Sequence, residues 1–156
     1  MLYGRTFEVV KKNLLCLDLG KASLGVALSR SGMLVTPIEN LRFHAMQFDE
    51  PISYLHELLK REKVETFVLG LPLFPSGDDC EMTHIVRDFA KRLQSEFPNI
   101  EIVYQDERYS TLDASANLHE KGQNAKRQHK TIDRTAACVI LERYLRSINQ
   151  IGMFGF

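Results

Sequence analysis

A single carboxylate stands inside an otherwise apolar stretch near the start of the chain. In KNLLCLDLGKASLGVAL, residues 12–28, Asp18 is the one acidic residue. A carboxylate in a buried strand is costly unless it is paired, hydrogen-bonded or bound to a cation. Leu14 to Leu17 read as a buried strand ending at Asp18, Gly20 permits a tight turn, and Leu24 to Ser29 read as a second strand. Any fold for this chain must place a charge at the end of a core strand.

Ser31-Gly32 marks the next turn, and Leu34 to Leu41 reads as a third strand, with Pro37 placing it at an edge or a bulge. Three strands joined by short turns make an antiparallel meander. The period then changes. Ile52, Leu55 and Leu59 have helical spacing, and Asp49 with Pro51 can start that helix. Thr66 to Leu69 is a short strand stopped by Gly70-Leu71-Pro72. A plain strand end explains that tripeptide, as does close approach of the backbone to a ligand. Met82, Ile85, Val86, Phe89 and Leu93 fall on one helical stripe, and Ile100 to Tyr104 form a fifth strand. Ser110 with Asp113 resembles a capping box for a further helix, fading at Lys121-Gly122. A polar, basic loop runs to about Lys130, and the last helix spans about Ile132 to Ser147. The order β-β-β-α-β-α-β-α-α predicts one α/β domain over residues 1–150 with a mixed sheet, followed by a short apolar tail at 151–156.

Composition narrows the function classes. With 20 basic and 20 acidic residues the formal net charge is zero, so no global field recruits polyanions and nucleic-acid binding requires a local patch. The three cysteines, Cys16, Cys80 and Cys138, form no CxxC pair. Cys16 and Cys138 lie in apolar runs and read as small buried hydrophobes, which fits a reducing compartment. Cys80 and His84 are four residues apart on a helix, but two ligands do not make a zinc site, and they read as a plain helix face. No apolar run reaches the length of a membrane span, and the N-terminus lacks a signal peptide's apolar core. A cytoplasmic protein without membrane contact is expected.

Three carboxylates stand out. Asp18 ends the first strand. Glu107 follows the last strand, where open α/β sheets tend to place ligands. Asp133 shares helical spacing with Ala136, Ala137, Ile140, Leu141 and Tyr144, and that stripe must face the sheet. Converging at one sheet end, the three would repel and raise one another's pKa values, a conflict that Mg²⁺ or Mn²⁺ would remove. Each also fits a plainer role: Asp18 as a turn cap, Glu107 as a surface charge paired to Arg108, Asp133 as an N-cap. Their coincidence carries the functional reading. Residues 121–134 hold Lys121, Lys126, Arg127, Lys130 and Arg134 with one acid, a local positive patch able to contact phosphates or a solvated loop.

Together, several motifs resemble the YqgF-type family. They are Asp18-Leu19-Gly20 with Leu24-Gly25-Val26-Ala27, Gly70-Leu71-Pro72, Asp106-Glu107-Arg108-Tyr109-Ser110-Thr111, Lys130-Thr131-Ile132-Asp133-Arg134-Thr135-Ala136-Ala137 and Leu141-Glu142-Arg143-Tyr144-Leu145. That family has an RNase H-like fold and is described both as a pre-16S rRNA nuclease and as Holliday junction resolvase-like. The resemblance runs from about Leu14 to Arg146 and implies a five-stranded mixed sheet of order 3-2-1-4-5 flanked by helices, with Asp18 on the central strand. It further implies that Asp18, Glu107 and Asp133 are the catalytic acids that bind metal. The turn after the first motif departs from the family, which usually reads Thr-Lys-Arg or Thr-Lys-Thr where this chain has Lys21-Ala22-Ser23.

The expectation from these readings is a nuclease that uses Mg²⁺ or Mn²⁺ to hydrolyse phosphodiester bonds in structured RNA, maturing the 5′ end of pre-16S rRNA in ribosome biogenesis. Lys21, Arg108, Lys126, Arg127, Lys130 and Arg134 are the expected nucleic-acid contacts, with Arg108 alternatively orienting Glu107. Gly20, Gly70 and Pro72 shape the turns. The ribosome is a further expected partner, with the protein acting as a monomer or homodimer. Three other readings compete: a resolvase of four-way DNA junctions, a phosphotransferase of the actin and sugar-kinase type, and a non-catalytic RNA-binding module. The phosphotransferase would need a second domain, for which 156 residues leave no room.

Overall fold

The structure is a computed structural model, and it describes residues 10–108, 134–148 and 150. Five strands, β1 (Leu14–Leu19), β2 (Ser23–Ser29), β3 (Thr36–Arg42), β4 (Thr66–Leu71) and β5 (Glu101–Asp106), form one sheet in the order β3-β2-β1-β4-β5. β1, β2 and β3 pair antiparallel as a meander, while β4 runs parallel to both β1 and β5. This is the mixed 3-2-1-4-5 sheet of an RNase H-like α/β fold. Three helices are described: α1 (Asp49–Arg61), α2 (Glu81–Glu96) and α3 (Ala136–Ser147).

The central position of β1 follows from its composition. Leu14, Leu15, Cys16 and Leu17 are all buried, as expected for a strand covered on both faces. Because successive side chains alternate, the two faces join different cores. Leu15, Leu17 and Leu19 pack with Leu55 of α1 and with Val86, Phe89 and Leu93 of α2. Leu14 and Cys16 pack with Ala27, Val68 and the α3 residues Ala137, Cys138, Ile140, Leu141 and Tyr144. Asp18 shares the parity of Leu14 and Cys16, so it belongs to the face that α3 covers.

Most expected elements appear, with two corrections. β3 begins at Thr36, two residues after the expected start, and Leu34 is 77% exposed. Pro37 fits both roles foreseen for it: β3 is an edge strand, and its register with β2 shifts between Val26 and Ala27, the residue paired with Pro37. The last helix starts at Ala136 rather than near Ile132, because Thr135 caps it by accepting a hydrogen bond from the Cys138 amide. Arg134 and Thr135 are not helical. Asp133 itself, the helix expected after Ser110 and the basic residues Lys121, Lys126, Arg127 and Lys130 lie outside the described residues. Cys16 and Cys138 are buried thiols as expected. Among the described residues no helix is long and apolar enough to cross a membrane.

Candidate active site

The parallel arrangement of β1, β4 and β5 brings their C-terminal ends to one side of the sheet. Val68 of β4 and Val103 of β5 face the α3 core, and they are register partners. Counting by two from each places Gly70 and Glu107 on that same face, one and two steps further along. The Glu107 amide continues the ladder by donating to the Leu71 carbonyl at 3.1 Å. Asp18 is on this face as well, one residue past the Leu17–Leu69 pair. Three strand ends thus put Asp18, Gly70 and Glu107 side by side.

Gly70 matters because β4 lies between the strands that carry the two acids. Adjacent strands are ~4.8 Å apart, so β1 and β5 are about 10 Å apart and their side chains can meet only over the middle strand. A Cβ at Gly70 would sit 3.2 Å from Glu107 Cδ and Oε2 and 2.9 Å from Ile140 Cδ1. The missing side chain is the space that Glu107 occupies. Gly25 does the same for the other acid. It pairs with Asp18 across the β1–β2 ladder, and a Cβ there would meet Asp18 Cβ at 3.5 Å and Ala137 Cβ at 3.6 Å. Gly25 and Ala137 were not singled out for this role from the sequence, although a glycine inside a strand signals close approach.

Asp18 and Glu107 stand close enough over β4 to act on each other's ionisation. Burial raises the pKa of Asp18, and its interaction with Glu107 partly offsets that rise. Glu107 is pushed up to about 8 by burial first, then by the charges of Asp18 and Asp106. Glu107 thus holds its proton into the neutral range. Cys16, beneath them on the same face, has its thiol pushed well up by burial and then by the Asp18 charge, which keeps it inert.

The neighbouring acid behaves oppositely. Arg108 binds Asp106 through Nε at 2.8 Å and Nη2 at 2.7 Å, holding Asp106 below the usual carboxylate range. The expected pairing of Arg108 with Glu107 is therefore replaced by a bidentate pair with Asp106. Arg108 Nη1 also donates to the Pro75 carbonyl at 3.2 Å, and Arg143 of α3 donates to the Arg108 carbonyl at 3.2 Å. Arg143 was not among the expected site residues, and its effect is to tie the segment after β5 to α3.

Glu107 opens onto a cleft of about 470 Å³, lined also by Leu19, Gly20, Lys21, Pro72, Leu73, Met82 and Arg108. The Gly20 amide closes its turn onto the Ser23 carbonyl at 2.7 Å. The Lys21 and Ala22 carbonyls accept the amides of Met46 and Phe43, so the divergent turn docks the segment after β3. Lys21 Nζ meets Glu81 at 2.9 Å, both side chains being solvent-exposed. The Pro72 carbonyl accepts the Thr83 hydroxyl and the Cys80 thiol, fixing the cleft wall to the start of α2. Cys80 is the residue before α2 and His84 lies exposed on it beside Asp79, a plain helix face as read. Arg134 is paired with Glu142, which faces it along α3.

Among the described residues no three His, Cys, Asp or Glu side chains form a group that could hold a metal. The pair Asp18–Glu107 nonetheless suits a hard divalent cation. Both side chains are oxygen donors, and a cation would displace the proton that Glu107 retains.

The family model of RuvX, described as Holliday junction resolvase, matches residues 12–147. A protein of Lactococcus lactis named "Putative pre-16S rRNA nuclease" is 36% identical over 85% of this chain and 92% of its own. Proteins of the same name from Onion yellows phytoplasma and Wolbachia pipientis are 32% identical over 83% of this chain and 85% of theirs, and 29% identical over 97% and 99%. Among solved structures, Archaeoglobus fulgidus Pelota superposes over 89% of this chain and 36% of its own with TM-score 0.44 at 12% identity, too loosely to inform the site. The matched span contains every strand and all three described helices, together with both acids of the site, and the chain therefore belongs to the RuvX family, the YqgF-type family its motifs resemble, and is a nuclease, a hydrolase of phosphodiester bonds.

Proposed function

We propose that this nuclease is a divalent-metal-dependent endonuclease that acts on structured RNA and matures the 5′ end of pre-16S rRNA, in the cytoplasm and as a single domain over residues 1–150. The observation that carries the reading is the Asp18–Glu107 pair, brought together over Gly70 at the open end of the sheet. The names of the relatives supply the RNA and the ribosomal context.

Asp18 and Glu107 would hold Mg²⁺ or Mn²⁺, with Asp133 as the third carboxylate. Such a cation lowers the pKa of water and offsets charge on the departing 3′ oxygen. Glu107 would have to be ionised to hold the cation, which would couple cation binding to loss of its proton. Gly70 and Gly25 keep the two carboxyl groups close, and Arg108 withdraws Asp106 from competition by pairing with it. Lys126, Arg127 and Lys130 supply phosphate contacts, with Lys21 at the cleft. A second reading, a resolvase of four-way DNA junctions, is favoured by the description of the family model.

The test offers precursor 16S rRNA fragments and a four-way DNA junction to the purified protein with Mn²⁺, Mg²⁺ or EDTA. Cation-dependent cleavage of the RNA is expected, and Asp18→Asn and Glu107→Gln should each lower it by at least 100-fold. Undiminished cleavage by those variants would sink the mechanism. Preferential cutting of the junction would transfer it to DNA, and RNA binding without cleavage would leave a binding module.

A further inference from the structure

Five large hydrophobic side chains are exposed among the described residues: Val10, Leu34, Met46, Phe74 and Tyr104. Phe74 is the one directly bonded in sequence to a residue of the cleft wall, Leu73. It is 53% exposed and aromatic. On its other side, the Pro75 carbonyl accepts from Arg108, itself a residue of the same cleft.

The loop that carries Phe74 is held at several points. Leu73 and Asp79 form a β-bridge across it. The Phe74 amide donates to the Asp78 carbonyl at 2.9 Å, and the Gly77 amide donates to the Phe74 carbonyl at 2.8 Å. Both backbone groups of Phe74 are thus fixed while its ring remains in solvent. An aromatic ring that is exposed yet held on an ordered backbone binds a flat ligand with little further loss of entropy. Beside a site that handles phosphodiesters, the flat ligand available is the base attached to the neighbouring phosphate.

Resting on the nuclease reading, we infer that Phe74 is a stacking platform for an unpaired nucleobase flanking a phosphate in the cleft between Lys21 and Arg108. The substrate at the cleft is then locally single-stranded, because a base inside a continuous duplex has no free face to offer. Stacking tolerates every base, since each has a π-face. The phosphate contacts set register and salt dependence, and Phe74 selects unpaired over paired nucleotides.

The chain contains no tryptophan, so Phe74→Trp introduces a lone fluorescent reporter at this position. The full-length protein in the Asp18→Asn background, which blocks cleavage, is titrated with a 12-nucleotide oligouridine and with a blunt RNA duplex. The oligouridine is expected to quench the tryptophan and the duplex to leave it unchanged. In the same background, Phe74→Ala should weaken oligouridine binding by about 5- to 100-fold, with thermal melting close to the parent because the side chain is exposed. Phe74→Leu keeps apolar area without a π-face and should bind as weakly as Phe74→Ala. Absence of quenching, or parental affinity in Phe74→Leu, overturns the inference. These outcomes are separate from those of the catalytic reading: Asp18-dependent cleavage without quenching removes the platform alone, and quenching without cleavage by the wild type removes the nuclease mechanism alone.

Discussion

Asp18 and Glu107 face each other across a strand that belongs to neither, and the residue between them is Gly70. The two acids lie 89 positions apart in sequence and come from β1 and the end of β5. Two buried carboxylates placed side by side disfavour each other's ionisation, and a proton or a cation between them relieves that.

The cation-free protein should therefore lose stability as pH rises. An unfolded Glu titrates near ~4.3, whereas Glu107 in the folded chain does so at about 8. Between those values the folded state holds more protons than the unfolded state, so the free energy of unfolding falls with increasing pH. The contribution is fully present below the unfolded value and lost above the folded one. Glu107→Gln removes this titration. In EDTA at pH 8.5 the variant should be more stable than the wild type by on the order of 1–3 kcal/mol, and near pH 5 the two should converge. Urea denaturation from pH 5 to 9 reads the difference. Wild type and variant running parallel across that range would show that Glu107 does not hold its proton into the neutral range.

Mn²⁺ should raise the melting temperature of the wild type, and more at pH 8 than at pH 6, because binding must displace the proton on Glu107. Asp18→Asn should show little or no such rise. Differential scanning fluorimetry at the two pH values checks both statements, and an equal rise in the variant would place the bound cation elsewhere.

Gly70→Ala introduces a methyl group 2.9 Å from Ile140 Cδ1 and 3.2 Å from the Glu107 carboxyl. Overpacking of this kind costs ~1–3 kcal/mol, and Glu107 must move away from Asp18. Cleavage should fall by at least 10-fold under conditions where the variant remains folded by circular dichroism. Full activity in a folded Gly70→Ala would mean that the two acids need not meet over β4.

Substituting Lys126, Arg127 and Lys130 together with Ala should weaken RNA binding across sequences and flatten its salt dependence. Removing one cation from a phosphate lowers the slope of log affinity against log salt by about 0.7–0.9. Fluorescence anisotropy between 50 and 300 mM salt measures it. An unchanged slope would assign the phosphate grip to other residues.

Much of this architecture is legible in the chain because alternation within a strand is a local property. The continuous apolar run of β1 marks it as central, and Asp18 stands out within it as a charge of the Leu14–Cys16 parity. Pro37 marks an edge, and the stripe Met82–Leu93 marks a helix with one buried face. Local pattern fails at the last helix. The spacing suggests a start near Ile132, yet Thr135 caps the helix and Ala136 begins it, because a side-chain oxygen on the Cys138 amide outweighs periodicity.

Asp18 as an unexplained core charge, the strand and helix periods and the family motifs are properties of the sequence by itself. Where Arg108 places its guanidinium, how Gly25 and Gly70 make room for the two acids and why Gly70 must lack a side chain were decided by the tertiary structure. The physical reason is register. Hydrogen bonds between β1, β4 and β5 fix which residues stand abreast, and those bonds join segments roughly fifty and thirty-five residues apart whose relative alignment no local period contains.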